Sequence, residues 1–131
     1  MRRVADPAFE ADLLAAPKAV PLLRRAVREH LGRDCPDVQL AVSELLSNVV
    51  RHVGEGSPVT LRVSCTGHGV TRVEVTDAAP DAEPAPAHAE CDAEGGRGLA
   101  LLDAVACRWG VVRNALTKTV WCELPEDTAG P

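Results

Sequence analysis

Apolar residues first recur at helical spacing between Pro17 and Leu31. Val20, Leu23, Val27 and Leu31 step by three and four, with Arg24, Arg25 and Arg28 between them. That spacing gives a helix with one buried stripe and one basic, solvated side. Gly32 supplies its stop. A second helix is expected from Asp34, read as the N-cap, with Pro36 and Asp37 in the first turn, to about Val53 before Gly54. Its apolar positions are Val38, Val42, Leu45, Leu46, Val49, Val50 and Val53. At about 100° per residue they fill one continuous sector of the helical wheel.

After Pro58 the period changes from helical to two. Val59, Leu61 and Val63 alternate with Thr60 and Arg62, so 58–64 reads as a strand. Gly67-His68-Gly69 makes a turn, and 70–76 returns as the partner of a hairpin, with Asp77 at its end. Residues 98–107 read as a third helix, offering Leu99, Leu101, Leu102, Val105 and Ala106 to a core. Residues 109–113 and 119–124 read as two last strands around a turn from Asn114 to Lys118. A weaker strand signal lies near 4–14. Between Ala78 and Glu94, Pro80, Pro84 and Pro86 stand among Ala and acidic residues without periodicity, the pattern of a long functional loop. The tail after Pro125 reads as frayed.

The 131 residues suit one domain, and 46% hydrophobic against 25% charged residues describes a folded chain. The net charge of −5 disfavours a phosphate backbone as partner, and 2% aromatic content leaves few platforms for base stacking. Nucleic acid is therefore not expected. No apolar run suits a membrane span, and Ala5 to Glu10 interrupts any signal-peptide pattern after Arg2 and Arg3. Five cysteines with no Cys-x-x-Cys pair argue against a disulfide framework and a thiolate zinc site. Reduced thiols in a cytoplasmic protein are the expectation.

Candidate chemistry falls into four places. Glu44, Asn48 and His52 recur every fourth residue on the flank of the second helix's apolar sector, where side chains line a cleft beside a core. An Asn carbonyl is a hard oxygen suited to Mg2+, and a Glu one turn away can accept a proton. The plainer alternative is a solvated i,i+4 pair, with Arg51 and His52 complementing the helix dipole. Gly95-Gly96-Arg97-Gly98-Leu99 opens the third helix with bare backbone N–H groups and a cation, a natural phosphate cradle. Asp77 can accept from an exocyclic amine, or simply end a strand. Lys118 can reach a phosphate and Thr119 can donate to a base or its bridging water, or both are surface turn residues. No P-loop, dinucleotide fingerprint or Gly-x-Ser-x-Gly elbow is present. The first two places together point to a metal-linked nucleotide.

The order of these segments resembles the GHKL ATPases: gyrase, the heat-shock chaperone, histidine kinases and the mismatch-repair ATPases. The run Glu44-Leu45-Leu46-Ser47-Asn48-Val49-Val50-Arg51-His52 is similar to their N-box. Val73-Glu74-Val75-Thr76-Asp77, Gly95-Gly96-Arg97-Gly98-Leu99 and Lys118-Thr119-Val120-Trp121 support it. Within the superfamily the chain looks most like the small anti-sigma-factor serine/threonine kinases.

The resemblance implies an α/β (α+β) two-layer sandwich, helices on one face of a mixed, largely antiparallel sheet. It implies one histidine-kinase-like ATPase domain over 1–131, with a core of about 16–124, an ATP lid of 78–94 and a frayed tail at 125–131. It implies ATP and Mg2+ as cofactors. Asn48 would ligate the metal and Glu44 would be the catalytic base. Asp77 would read the adenine amine with Thr119 in support. Gly96, Arg97, Gly98 and Leu99 would line the phosphates, with Lys118 nearby. A sigma factor or an anti-sigma-factor antagonist would be the partner, and a homodimer is allowed.

One departure stands out. The family's Asp-x-Gly-x-Gly is here Asp77-Ala78-Ala79-Pro80-Asp81, without the glycines that let the backbone pass close to a base. The rival reading is a non-catalytic interaction module of the same fold, with weak or absent nucleotide binding.

Overall fold

The computed structural model describes residues 8–67, 69–79 and 102–126. In chain order these form β1 (Phe9–Leu14), α1 (Ala19–Leu31), α2 (Pro36–His52), β2 (Pro58–Cys65), β3 (Val70–Asp77), β4 (Arg108–Arg113) and β5 (Lys118–Pro125). A short helical segment at 102–105 precedes β4. The five strands make one sheet in the order β1-β2-β3-β5-β4. Every pairing among the described residues is antiparallel. This agrees with the largely antiparallel sheet that the resemblance implies. Two hairpins account for most of it, β2–β3 and β4–β5, because tight turns can join only antiparallel neighbours. The chain leaves β3, reaches the edge at β4, and turns back so that β5 lies against β3.

Strand alternation divides the sheet cleanly. Val59, Leu61, Val63, Val73, Val75, Val120, Cys122 and Leu124 are buried on one side. Val38, Ala41, Val42, Leu45, Leu46 and Val49 of α2 are buried with them, and α2 packs on β3 and β5. α1 packs beside α2 and buries Val27 fully, with Val20, Leu23 and Leu31 half-buried against the core. Burial pushes the Cys122 thiol up to about 12, so it behaves as a small apolar core residue. The four described cysteines, Cys35, Cys65, Cys107 and Cys122, are free thiols.

The helix ends show local chemistry. α1 stops at Gly32, whose φ of 72° suits glycine and whose N–H bonds to the Arg28 carbonyl at 2.9 Å. The N-cap of α2 is Cys35, not the expected Asp34. Asp34 is held by Arg28, whose Nε and Nη2 donate to one carboxylate oxygen at 3.0 and 2.8 Å. Pro36 takes the first helical position, where a missing N–H costs nothing.

The other side of the sheet is polar. The Arg72 guanidinium lies 4.2 Å from the Trp121 ring centroid and donates to Glu123 at 2.8 Å and Glu74 at 3.0 Å. Arg108 reaches the second oxygen of Glu123 at 2.8 Å. These bonds hold the Glu123 carboxyl below its usual range, Arg108 contributing most and Arg72 next.

Leu45 is wholly buried where α2 meets the sheet. Leu45→Ala is expected to destabilise the fold by about 2–5 kcal/mol, because deletion leaves a cavity that rigid strands cannot close. Chemical denaturation of the two proteins measures it.

Candidate nucleotide site

α2 positions the first two candidates. Its apolar sector must face the sheet, and Asn48, three residues after Leu45 and next to Val49, is drawn in with it. Asn48 is only 3% exposed, and its side-chain Oδ1 is buried with no hydrogen-bond partner. Glu44, one turn earlier, sits half-buried at the margin. Desolvation pushes its carboxyl above the usual range, with the Arg51 charge opposing. His52, at the end of the helix, is exposed.

β3 positions the third. Alternation from Val73 and Val75 turns Asp77 toward the helices, where it is 2% exposed. Its Oδ1 accepts the Ala79 N–H at 2.8 Å. Its Oδ2 is buried without a hydrogen bond, although the Lys118 Nζ stands 3.4 Å away. The ammonium balances charge there without making a hydrogen bond to that oxygen.

β5 places the last pair differently from the expectation. Asp77 and Lys118 are directly opposed in the β3–β5 register. Lys118 is 1% exposed, so its ammonium is committed to the interior rather than set out as a surface arm for phosphate. Thr119, the next residue, points to the opposite side of the sheet. There its hydroxyl bonds with that of Thr76 at 2.7 Å. The structure thus brings Lys118 to Asp77 and leaves Thr119 apart from it. Gly96, Arg97, Gly98 and Leu99 lie outside the described residues, as does most of the 78–94 stretch.

Among the described residues, the buried side-chain polar atoms that lack a hydrogen bond are Asn48 Oδ1 and Asp77 Oδ2. Both are acceptors in the layer between helix and sheet, and both belong to residues singled out from the sequence. A cleft of about 320 Å³ also exists, lined in part by Arg33, Asp37, Thr71 and Glu126. It lies at the start of β3, roughly 20 Å along the strand from Asp77, and its mixed charges favour no one ligand class.

A family model described as the histidine kinase-like ATPase domain matches residues 13–122. The chain belongs to that family. An uncharacterised protein of Streptomyces coelicolor is 46% identical over 83 residues, covering 63% of this chain and 79% of its own length. A solved structure of the RsbU and RsbW domains of Rv1364c from Mycobacterium tuberculosis overlays 95% of this chain with a TM-score of 0.68 at 22% identity. This chain spans 34% of that one, so the likeness is one of fold. The fold is that of the GHKL ATPases. No helix among the described residues is long and apolar enough to cross a membrane.

An ATPase-family helix that buries an unpartnered Asn oxygen carries a cost the packing does not need. Asn48→Leu is expected to stabilise the ligand-free protein by about 1–3 kcal/mol, the desolvation penalty it removes. Thermal or urea melting would show it, and an unchanged or lowered midpoint would mean that the amide is structurally required.

The Glu44 shift makes a second expectation. A carboxyl raised on folding binds protons more readily in the native state than in the unfolded chain. Its contribution therefore falls as pH rises from the ordinary carboxylate value through the raised one. Between about pH 4 and 7, the parent is expected to lose stability relative to Glu44→Gln as pH increases. Paired denaturation curves across that range give the sign.

Proposed function

We propose that this chain is an ATP-binding regulator of the anti-sigma-factor serine/threonine kinase type, working in the cytoplasm and binding its nucleotide with Mg2+. The observation that carries the reading is the pair of buried, unfilled acceptors, Asn48 Oδ1 and Asp77 Oδ2. An unmet acceptor in a core costs stability unless something fills it. Here one is the hard-oxygen donor a divalent ion needs, and the other is a carboxylate oxygen still able to accept a hydrogen bond. Membership of an ATPase family supports the same reading.

Mg2+, when bound, neutralises phosphate charge and so supplies most of what phosphoryl transfer asks of a metal. Asn48 would hold it through its carbonyl oxygen. Glu44 would take the proton from the hydroxyl of a partner's serine, and its desolvated, raised carboxyl is the stronger base for that work. Gly96, Arg97, Gly98 and Leu99 would cradle the phosphates. The partner would be a sigma factor or its antagonist. Thr119 would take no part in the base contact, since its hydroxyl bonds with that of Thr76 on the far side of the sheet.

A second reading has its own observation. Asp77 already accepts from Ala79 and already faces Lys118. An interaction module of the same fold, binding its partner with little or no help from nucleotide, would be built in that way.

Calorimetry with ATP and Mg2+ separates them. Metal-dependent binding is expected, weakened by Asn48→Ala by about tenfold or more, since the loss of a mere supporting group already costs that much at metal sites. Glu44→Ala is expected to spare binding and to lower transfer to the cognate partner by about 10²–10⁴-fold. Absence of nucleotide binding in the parent would leave the interaction module standing.

A further inference from the structure

We propose that Lys118 is a specificity-determining residue at the base end of the site, acting as an internal counter-ion for Asp77 so that a purine's exocyclic amine is not selected. The inference rests on the nucleotide reading above.

A lone buried carboxylate is a demanding reader. It rejects ligands that lack a donor, because its charge and lone pairs then stay unmet. Asp77 is not alone. Lys118 faces it across the β3–β5 register, with Nζ 3.4 Å from Oδ2 and both side chains 1% exposed. Oδ1 is also engaged, by the Ala79 N–H at 2.8 Å. The charge that would make an incoming amine valuable is thus balanced before any ligand arrives. What remains is one neutral-strength vacancy on Oδ2.

Burying a lysine is costly, several kcal/mol per ion as a rough figure, so its position needs a cause. Strand parity is that cause. Val120, Cys122 and Leu124 must face the core, and two residues before Val120 the same parity turns Lys118 inward, opposite the inward Asp77. A residue with no ammonium at 118 would leave Asp77 without its counter-charge, and a ligand amine would then gain the whole interaction.

The test is calorimetry on the full chain with Mg2+ and two probes: ATP, and purine riboside triphosphate, which is the same nucleotide without the amine. In the parent, the two are expected to bind within about threefold of each other. In Lys118→Met, ATP is expected to bind about tenfold tighter than in the parent, and to be preferred over the analogue by about tenfold or more, the worth of a hydrogen bond to a charged acceptor. Lys118→Thr provides the same comparison in a smaller side chain, and melting curves check that each variant is folded. If neither variant folds, the parent's own ratio decides: strong preference for ATP overturns the proposal and near-equality supports it. Unchanged selectivity in folded variants, or weaker ATP binding by them, would make the pair merely structural or Lys118 a direct ligand. Either result overturns the proposal while the ATP-binding reading stands. No binding of either probe to any of the proteins would sink both.

Discussion

The structure depends on one contact, the apolar sector of α2 laid across β3 and β5. A sheet with one apolar side and a helix with one apolar sector each have a single place to put them. That contact buries Leu45, Leu46 and Val49 against Val73, Val75 and Val120. It also fixes the rotation of α2 and therefore the fate of its polar residues. Asn48 is carried into the core by its neighbours, and Glu44 is left at the rim. The same packing demand that stabilises the fold sets a carbonyl oxygen where water does not satisfy it and partly desolvates a carboxylate one turn away. Site and core are thus one arrangement rather than a site grafted on a finished scaffold.

Period carried most of the architecture from sequence to structure. The runs at 20–31, 38–53 and 59–63 have unbroken 3.6 or 2.0 repeats, and each became the expected element to within a residue or two. Errors arose where local chemistry competed. Asp34 is a good N-cap by type, but a guanidinium from the preceding helix claims it and the cap moves to Cys35. The largely antiparallel sheet came from the family resemblance, not from any local pattern. Strand direction depends on how distant segments meet, which no local pattern encodes.

Parity at the last strand is a signal that the sequence carries. A strand that begins at Thr119 leaves Lys118 in the turn and sets Thr119 beside Asp77. Yet Val120, Cys122 and Leu124 already alternate with Trp121 and Glu123. If the first set faces the helices, Lys118 must face them too and Thr119 cannot. The outward set then finds its own partners, Thr119 with Thr76 and Glu123 with Arg72 and Arg108. The sequence could not show that the lysine opposes Asp77, since that register is a tertiary fact.

The missing glycines after Asp77 and the buried Lys118 are best understood together. Each looks like damage to a base-binding site when taken alone. Ala79 donates its N–H to Asp77 Oδ1, so the non-glycine turn is closed by the carboxylate itself. Lys118 balances the charge that remains. At the base end Oδ1 is bonded and the charge is balanced, although Oδ2 still lacks a hydrogen bond; Asn48 Oδ1 on α2 has neither a bond nor a counter-charge. A protein losing an entire ligand function has no reason to keep a neutral amide oxygen buried and unmet, because an apolar residue there would remove the penalty. The asymmetry therefore argues that, in the proposed site, affinity has shifted toward the metal and phosphate end. A nucleotide would be held by its charge and its ion more than by its base.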